Sequence, residues 1–105
     1  MEQLTGTVAL VTGGGRGIGR AISLALARAG CDVTVNYRER RDDADSAVGE
    51  IEKLGRRSAA LQADVSRGTD VTQLMHAAES QLGPIEILVN NAGKILIQSI
   101  EQMTE

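Results

Sequence analysis

The sequence contains almost no aromatic residues: among its 105 residues there is no Phe, no Trp and a single Tyr, Tyr37. A hydrophobic core must therefore be built from Ala, Val, Ile and Leu. The single cysteine, Cys31, excludes an internal disulfide bond and favours a reducing compartment, so we expect a cytoplasmic protein. Because there is also only one His, His76, no metal site is expected.

The sequence also has no excess of basic residues and no long apolar run. The net charge is −3, which argues against nucleic acid as the main partner. No apolar run approaches the roughly 20 residues that span a bilayer, so no membrane association is expected. The first residues carry no basic segment ahead of their apolar stretch and do not resemble a secretory signal. The length is typical of one domain, residues 1–105.

Two hydrophobic periods alternate along the chain. Short β-branched or apolar runs predict strands at residues 7–12, 32–37, 58–63 and 85–90. Between them, apolar residues at helical spacing predict three helices, of which the first two end at Gly30 and Gly55. Ser66 or Thr69 is the expected N-cap of the third helix. The order β-α-β-α-β-α-β predicts an α/β domain with parallel strands and right-handed crossovers.

The stretch from Gly13 to Gly19 contains five glycines between the first strand and the first helix. A glycine loop at a helix N-terminus lets a phosphate approach unpaired N–H groups. The nucleoside-triphosphate motif fails because Arg20 stands where Lys is required, and G-x-G-x-x-G fails at every register. T-G-x-x-x-G-x-G fits from Thr12. Cofactor contacts are expected at Gly13, Gly15, Arg16, Gly17, Ile18 and Gly19.

With Asp64-Val65 after the third strand and Asn90-Asn91-Ala92-Gly93 after the fourth, this loop makes the chain resemble the short-chain dehydrogenase/reductases. The resemblance is closest to bacterial 3-oxoacyl-carrier-protein reductases. It implies a three-layer Rossmann-like sheet in the order 3-2-1-4 and an enzyme that transfers hydride between nicotinamide and a small-molecule carbonyl or alcohol.

The end of the second strand is expected to select the cofactor. Asn36 and Tyr37 stand where an acid would accept a hydrogen bond from the ribose 2′-OH of NAD, and Arg38 follows. Arg38, with Arg16 on the other side, can bind a 2′-phosphate, so NADP(H) is preferred over NAD(H). The missing acid also counts against FAD and S-adenosylmethionine, by what is known of their binding proteins.

Further cofactor contacts are implied by the resemblance. Asp64 would accept from the adenine amino group and Val65 would line the ring pocket, although Asp64 could instead be a cap or turn residue. Asn90 and Asn91 would steady the centre of the sheet, and Ala92-Gly93 would let the nicotinamide ribose approach. Lys94 stands where relatives often carry an aliphatic residue, and its role stays open.

No catalytic residue can be assigned. The family's proton donor is a Tyr with a Lys four residues later, but here Arg41 stands four residues after Tyr37. The tail resembles the approach to a further helix, with Thr104 as its N-cap, so we expect an N-terminal portion that is catalytically incomplete.

A chain of this extent should leave the fourth strand as a sheet edge and an apolar patch beside the third helix. Both features predict self-association. Two other interpretations remain: a stand-alone dinucleotide-binding module without chemistry, and a structural fragment that binds nothing.

Overall fold

The computed structural model describes residues 4–91 and, for the backbone alone, residues 94–97. The elements are β1 (Val8–Thr12), α1 (Gly17–Arg28), β2 (Asp32–Tyr37), α2 (Arg41–Lys53), β3 (Ser58–Gln62), α3 (Gly68–Leu82), β4 (Ile87–Asn90) and β5 (Lys94–Ile97). The predicted alternation of strands and helices is therefore confirmed through β4.

The sheet has the order β3-β2-β1-β4-β5. The first four strands pair in parallel, as predicted, with Ala9 opposite Val33 on one side and Ile87 on the other. The expectation that β4 forms the edge is wrong, because β5 pairs with it antiparallel, with Ile97 opposite Ile87. The chain turns back directly after β4, and the N–H and C=O groups of β4 find partners within the same chain.

Period-two alternation along β1 sends neighbouring side chains to opposite faces of the sheet. Ala9 and Val11 pack on the face covered by α1 and α2, together with Ile51 of α2. Val8 and Leu10 pack on the opposite face, against Leu74 and other residues of α3. The result is the expected three-layer arrangement, with a core that is aliphatic on both faces.

Glycine ends the first two helices as predicted. Gly30 and Gly55 have φ angles of 108° and 85°, in the left-handed region that follows a helix C-terminus. The predicted N-cap of α3 is wrong: the cap position is Arg67, which makes no side-chain capping bond. Ser66 is engaged elsewhere, since its hydroxyl donates to Asp64 Oδ1 at 2.6 Å.

An apolar groove of about 300 Å³ lies beside α3, where the sequence predicts an uncovered patch. We call it the α3 groove; its lining residues are Leu10, Thr12, Val65, Ser66, Val71, Leu74, Met75, Leu88 and Asn90. Val71 of α3 is 36% exposed at the rim of this groove. Among the described residues, no helix has the length and apolar character needed to cross a membrane.

Candidate cofactor site

The candidate site lies at the carboxyl ends of the parallel strands. The glycine loop leaves β1 there, and β1 is flanked by β2 on one side and β4 on the other. The strands that follow β1 are added first on one side of it, as β2 and β3, and then on the other, as β4. This reversal of strand order makes the site a topological switch point, which is where open α/β sheets bind ligands. The strand order thus brings the glycine loop, the end of β2 and the end of β4 to one edge.

Two glycines of the loop occupy positions that other residues would not tolerate. Gly17 begins α1 with φ 56°, and a Cβ placed there would meet no atom within 4 Å, so the space above it is open. A Cβ on Gly19 would overlap the Gly13 carbonyl oxygen and lie 2.8 Å from Asn91 Nδ2. Gly17 therefore leaves room for a ligand, whereas Gly19 lets the helix pack on the start of the loop.

The N-terminus of α1 offers its backbone N–H groups to this open space. Arg16, at the N-cap position, is extended and makes no side-chain capping bond, and the first turn contains no acidic residue. Ile18, expected to contact the cofactor, is 75% exposed on that turn. An uncapped helix start with the positive end of its dipole exposed is suited to an anion.

Asn36 ties the end of β2 to the glycine loop. Its Oδ1 accepts from the Gly13 N–H at 3.2 Å, and its main-chain oxygen accepts from the Gly14 N–H at 3.0 Å. The amide Nδ2 lies 3.2 to 3.3 Å from the carbonyl oxygens of Tyr37, Leu61 and Ala63. Asn36 is 2% exposed, so it holds the glycine loop in place from the interior of the protein.

A cleft of about 220 Å³ opens between the glycine loop and the segment that follows β2. We call it the arginine cleft; its lining residues are Gly13, Gly15, Arg16, Asn36, Tyr37, Arg38, Glu39 and Arg40. Arg16 and Arg38 stand on its two walls, as the sequence predicts. Glu39 is the one carboxylate in that lining, beside three guanidinium groups.

Asp64 makes turn hydrogen bonds in this structure, and its expected contact with the adenine stays a prediction. Its Oδ1 accepts from the backbone N–H and hydroxyl of Ser66, and these hydrogen bonds hold the pKa of the carboxyl below its usual range. Its Oδ2 lies 3.7 Å from Arg38 Nε. Val65 is half-exposed at the α3 groove.

Asn91 joins the end of β4 to the glycine loop. Its N–H donates to Thr12 Oγ1 at 3.0 Å and its Nδ2 donates to the Gly13 carbonyl at 3.3 Å. Asn90 pairs in register with Thr12. Ala92 and Gly93 lie outside the described residues, as does the side chain of Lys94.

Two residues that hold the loop were missed by the sequence analysis. Ser23 is fully buried in α1, and its Oγ lies 2.9 Å from the Gly19 carbonyl oxygen and 3.1 Å from that of Gly14. Arg20 directs its guanidinium from α1 toward α2. Neither residue belongs to the apolar pattern that predicted this helix, so the sequence does not indicate these contacts.

The family model for short chain dehydrogenases matches residues 7–105. The chain belongs to the short-chain dehydrogenase family. A hydroxynaphthalene reductase-like protein, Arp2, of Metarhizium robertsii is 43% identical over 104 residues, which are 99% of this chain and 39% of that protein. The chain thus spans about two-fifths of that relative's length.

Two solved structures that contain a nicotinamide cofactor superpose closely on this chain. One from Burkholderia cenocepacia, in complex with NADP, is 44% identical with a TM-score of 0.83; the match covers 88% of this chain and 38% of that one. A blue fluorescent protein from a metagenomic library, in complex with NADPH, is 46% identical with a TM-score of 0.80, over 89% of this chain and 38% of that one. The Rossmann-like fold and the membership of an oxidoreductase family are therefore shown.

Proposed function

We propose that this chain forms the adenosine and pyrophosphate part of an NADP(H) site in a reductase that transfers hydride between nicotinamide and a carbonyl or alcohol substrate. The observation that carries the proposal is the arginine cleft, with Arg16 and Arg38 on opposite walls and no carboxylate at the end of β2. The complexes of the two similar structures with NADP and NADPH support it.

The charges of the arginine cleft favour a 2′-phosphate over a 2′-hydroxyl. Arg16, Arg38 and Arg40 line it against one acid, Glu39. Arg40 is paired with Asp43 at 3.1 Å, whereas Arg38 makes a longer contact of 3.7 Å with Asp64, so Arg16 and Arg38 are the groups best able to bind the phosphate. A guanidinium can donate two parallel hydrogen bonds to a phosphate, whereas an acid at this position would repel it.

The pyrophosphate fits the uncapped start of α1. The open space above Gly17 and the N–H groups of the first turn would receive it. Asp64 and Val65 would then contact the adenine, with Asp64 exchanging its contact with Arg38 for the adenine amino group. When bound, the cofactor supplies the hydride; these residues bind and orient its adenosine end.

No described residue is positioned to protonate a substrate oxygen. Tyr37, the sole tyrosine of the sequence, lines the arginine cleft and so belongs to the adenosine end of the site. Carbonyl reduction needs a proton donor close to the reacting oxygen. We therefore propose that the 105-residue chain binds NADP(H) but does not by itself catalyse the reaction.

The proposed substrate class is a 3-oxoacyl thioester, and the proposed compartment is the cytoplasm. The first rests on the resemblance of the glycine loop, Asp64-Val65 and Asn90-Asn91 to bacterial 3-oxoacyl-carrier-protein reductases. A second candidate, an aromatic substrate of the hydroxynaphthalene type, is favoured by the name of the 43% identical relative. Assaying reduction of both classes by a full-length relative that carries this segment would decide between them.

The cofactor part of the proposal is tested with two nucleotides that differ only in the 2′-phosphate. Isothermal titration calorimetry should show adenosine 2′,5′-bisphosphate binding at least about tenfold more tightly than 5′-AMP. The reason is that Arg16 and Arg38 can bind the 2′-phosphate, which 5′-AMP lacks. Equal affinities would overturn the NADP(H) preference. No binding of either nucleotide, and no change in NADPH fluorescence at millimolar concentration, would favour the non-binding fragment.

A further inference from the structure

Arg20 of α1 connects the glycine loop to α2, the helix that follows the arginine cleft. Its Nη1 lies 3.4 Å from the carbonyl oxygen of Gly15 in the glycine loop and 3.2 Å from that of Asp43 in α2. Its Nη2 donates to Ser46 Oγ at 3.1 Å and pairs with Glu50 Oε1 at 2.9 Å. The side chain is 24% exposed, so most of it lies between the two helices.

These bonds connect the two walls of the arginine cleft through a side chain that does not line the cleft. Gly15 belongs to the loop wall, and Asp43 follows by three residues the Arg40 that ends the opposite wall. The opposite wall is also held from the end of β3, where Gln62 Nε2 donates to the Arg38 carbonyl at 3.1 Å and Asp64 Oδ2 lies 3.7 Å from Arg38 Nε. At the other end of this wall, Arg40 caps α2 without a side-chain capping bond, so the position of Arg38 relative to Arg16 depends in part on how the first turn of α2 is held against the loop.

A close backbone contact acts at the same place. A Cβ on Gly15 would lie 2.8 Å from Ala44 Cα, so the loop and the first turn of α2 touch directly. Arg20 bonds to the residues on either side of this contact, Gly15 and Asp43. The contact limits how closely the walls approach, and the Arg20 bonds oppose their separation.

We propose that Arg20 is a positioning residue that sets the spacing between Arg16 and Arg38 and thereby the preference for a 2′-phosphorylated nucleotide. The inference rests on the proposed NADP(H) site. Two guanidinium groups can share one phosphate only at a fixed separation, and holding them there beforehand lowers the cost of binding. The affinity for a nucleotide with a 2′-hydroxyl depends less on the spacing, because it has no phosphate to bridge Arg16 and Arg38.

The test measures the ratio of Kd values for 5′-AMP and adenosine 2′,5′-bisphosphate by titration calorimetry. Arg20→Gln should lower this ratio by about fivefold, mostly through weaker binding of the bisphosphate. Arg28→Gln, a change of the same type at the exposed end of the same helix, should leave the ratio unchanged. Gly15→Ala should lower the ratio as well, since the added Cβ forces the walls apart.

Arg20→Lys separates positioning from charge. It retains the positive charge but cannot reach all four acceptors with a planar fork, so its ratio should fall between those of the wild type and Arg20→Gln. If Arg20→Lys had the same ratio of Kd values as the wild type, the positive charge at this position would be sufficient and the inference would be overturned. If Arg20→Gln is unfolded by circular dichroism, Glu50→Ala measures the same connection from its half-exposed end and should lower the ratio.

The outcomes distinguish this inference from the function on which it rests. A wild-type preference that Arg20→Gln and Glu50→Ala both leave unchanged would overturn the inference alone. A wild-type chain that does not distinguish the two nucleotides would overturn the proposed function and the inference together.

Discussion

The side chain of Asn36 holds the first amide of the glycine loop: its Oδ1 accepts from the Gly13 N–H at 3.2 Å. The same side chain reaches carbonyl groups at the end of β3 through its amide nitrogen. One buried residue at the end of β2 thus fixes the loop and the neighbouring strand relative to each other.

Replacing Asn36 by alanine should destabilise the fold by about 2 to 3 kcal/mol, because it removes the side-chain partner of the Gly13 N–H and of the carbonyls at the end of β3. The free energy of unfolding in urea measures this effect. Asn91→Ala removes a single hydrogen bond to the same loop, and this bond is exposed to solvent, so the variant should have a smaller effect. A change below about 0.5 kcal/mol for Asn36→Ala would show that the loop is held by other contacts.

Arg38→Asp should weaken binding of NADPH by at least about tenfold while sparing or improving that of NADH, because it replaces a cation of the arginine cleft by an acid. The nicotinamide's own fluorescence reports both titrations in this Trp-free chain. Arg41→Asp is a matched control, since Arg41 is outside the residues that line the arginine cleft. Equal losses for the two cofactors would contradict the assignment of Arg38 to the 2′-phosphate.

Asp32 should make the fold sensitive to acid. Burial acts to raise the pKa of this carboxyl, but hydrogen bonds from Arg57 and the charges of Arg56 and Arg57 outweigh it and hold the pKa below its ordinary value of 3.8. A carboxyl with a lowered folded pKa stabilises the fold above its unfolded pKa, and the stabilisation is lost as the pH falls through the folded pKa.

The expected result is a urea midpoint that declines as the pH falls below about 4. Asp32→Asn should cost about 1 to 2 kcal/mol at neutral pH, because two partly exposed arginines lose their charged partner, and should flatten that decline. Asp45→Asn, in a half-exposed pair with Arg41, serves as the control and should change little. A variant Asp32→Asn with the same pH profile as the wild type would refute this account.

Thr34→Val should stabilise the protein. The hydroxyl of Thr34 is fully buried in β2 and has no hydrogen-bond partner within the described part of the chain. Valine has the same shape and removes the desolvated oxygen, so we expect a gain of about 1 kcal/mol in the free energy of unfolding. Thr72→Val on the exposed surface of α3 should change it by less than about 0.5 kcal/mol. A loss of stability in Thr34→Val would reveal a partner for the hydroxyl.

Self-association stays a prediction, and the structure moves its expected origin from the edge of β4 to the α3 groove. A second copy of the chain would cover the exposed apolar residues there, Val71 among them. Sedimentation at tens of micromolar should show dimers or larger species, and Val71→Glu should shift them toward monomer. A monodisperse wild-type monomer would contradict the prediction.

Much of the architecture follows from the sequence because hydrophobic periodicity is local. The spacing of Ala44, Ala47 and Ile51 predicts a helix face, and those residues are buried against the sheet. Two local predictions were wrong for a physical reason. The hydroxyl of Ser66 donates to Asp64, and Arg67 takes the N-cap position of the helix that Ser66 was expected to cap. The open side of β4 pairs with Lys94–Ile97.

The sequence by itself determined the alternation of strands and helices and the family, and it predicts that the loop binds phosphate. These follow from spacings within a few residues. Only the tertiary structure showed that Asn36, Arg20 and Ser23 hold the loop in place, because each acts on a carbonyl or amide group brought near by the fold. A backbone group is the same at every residue, so the sequence does not mark which one a buried polar side chain will bind.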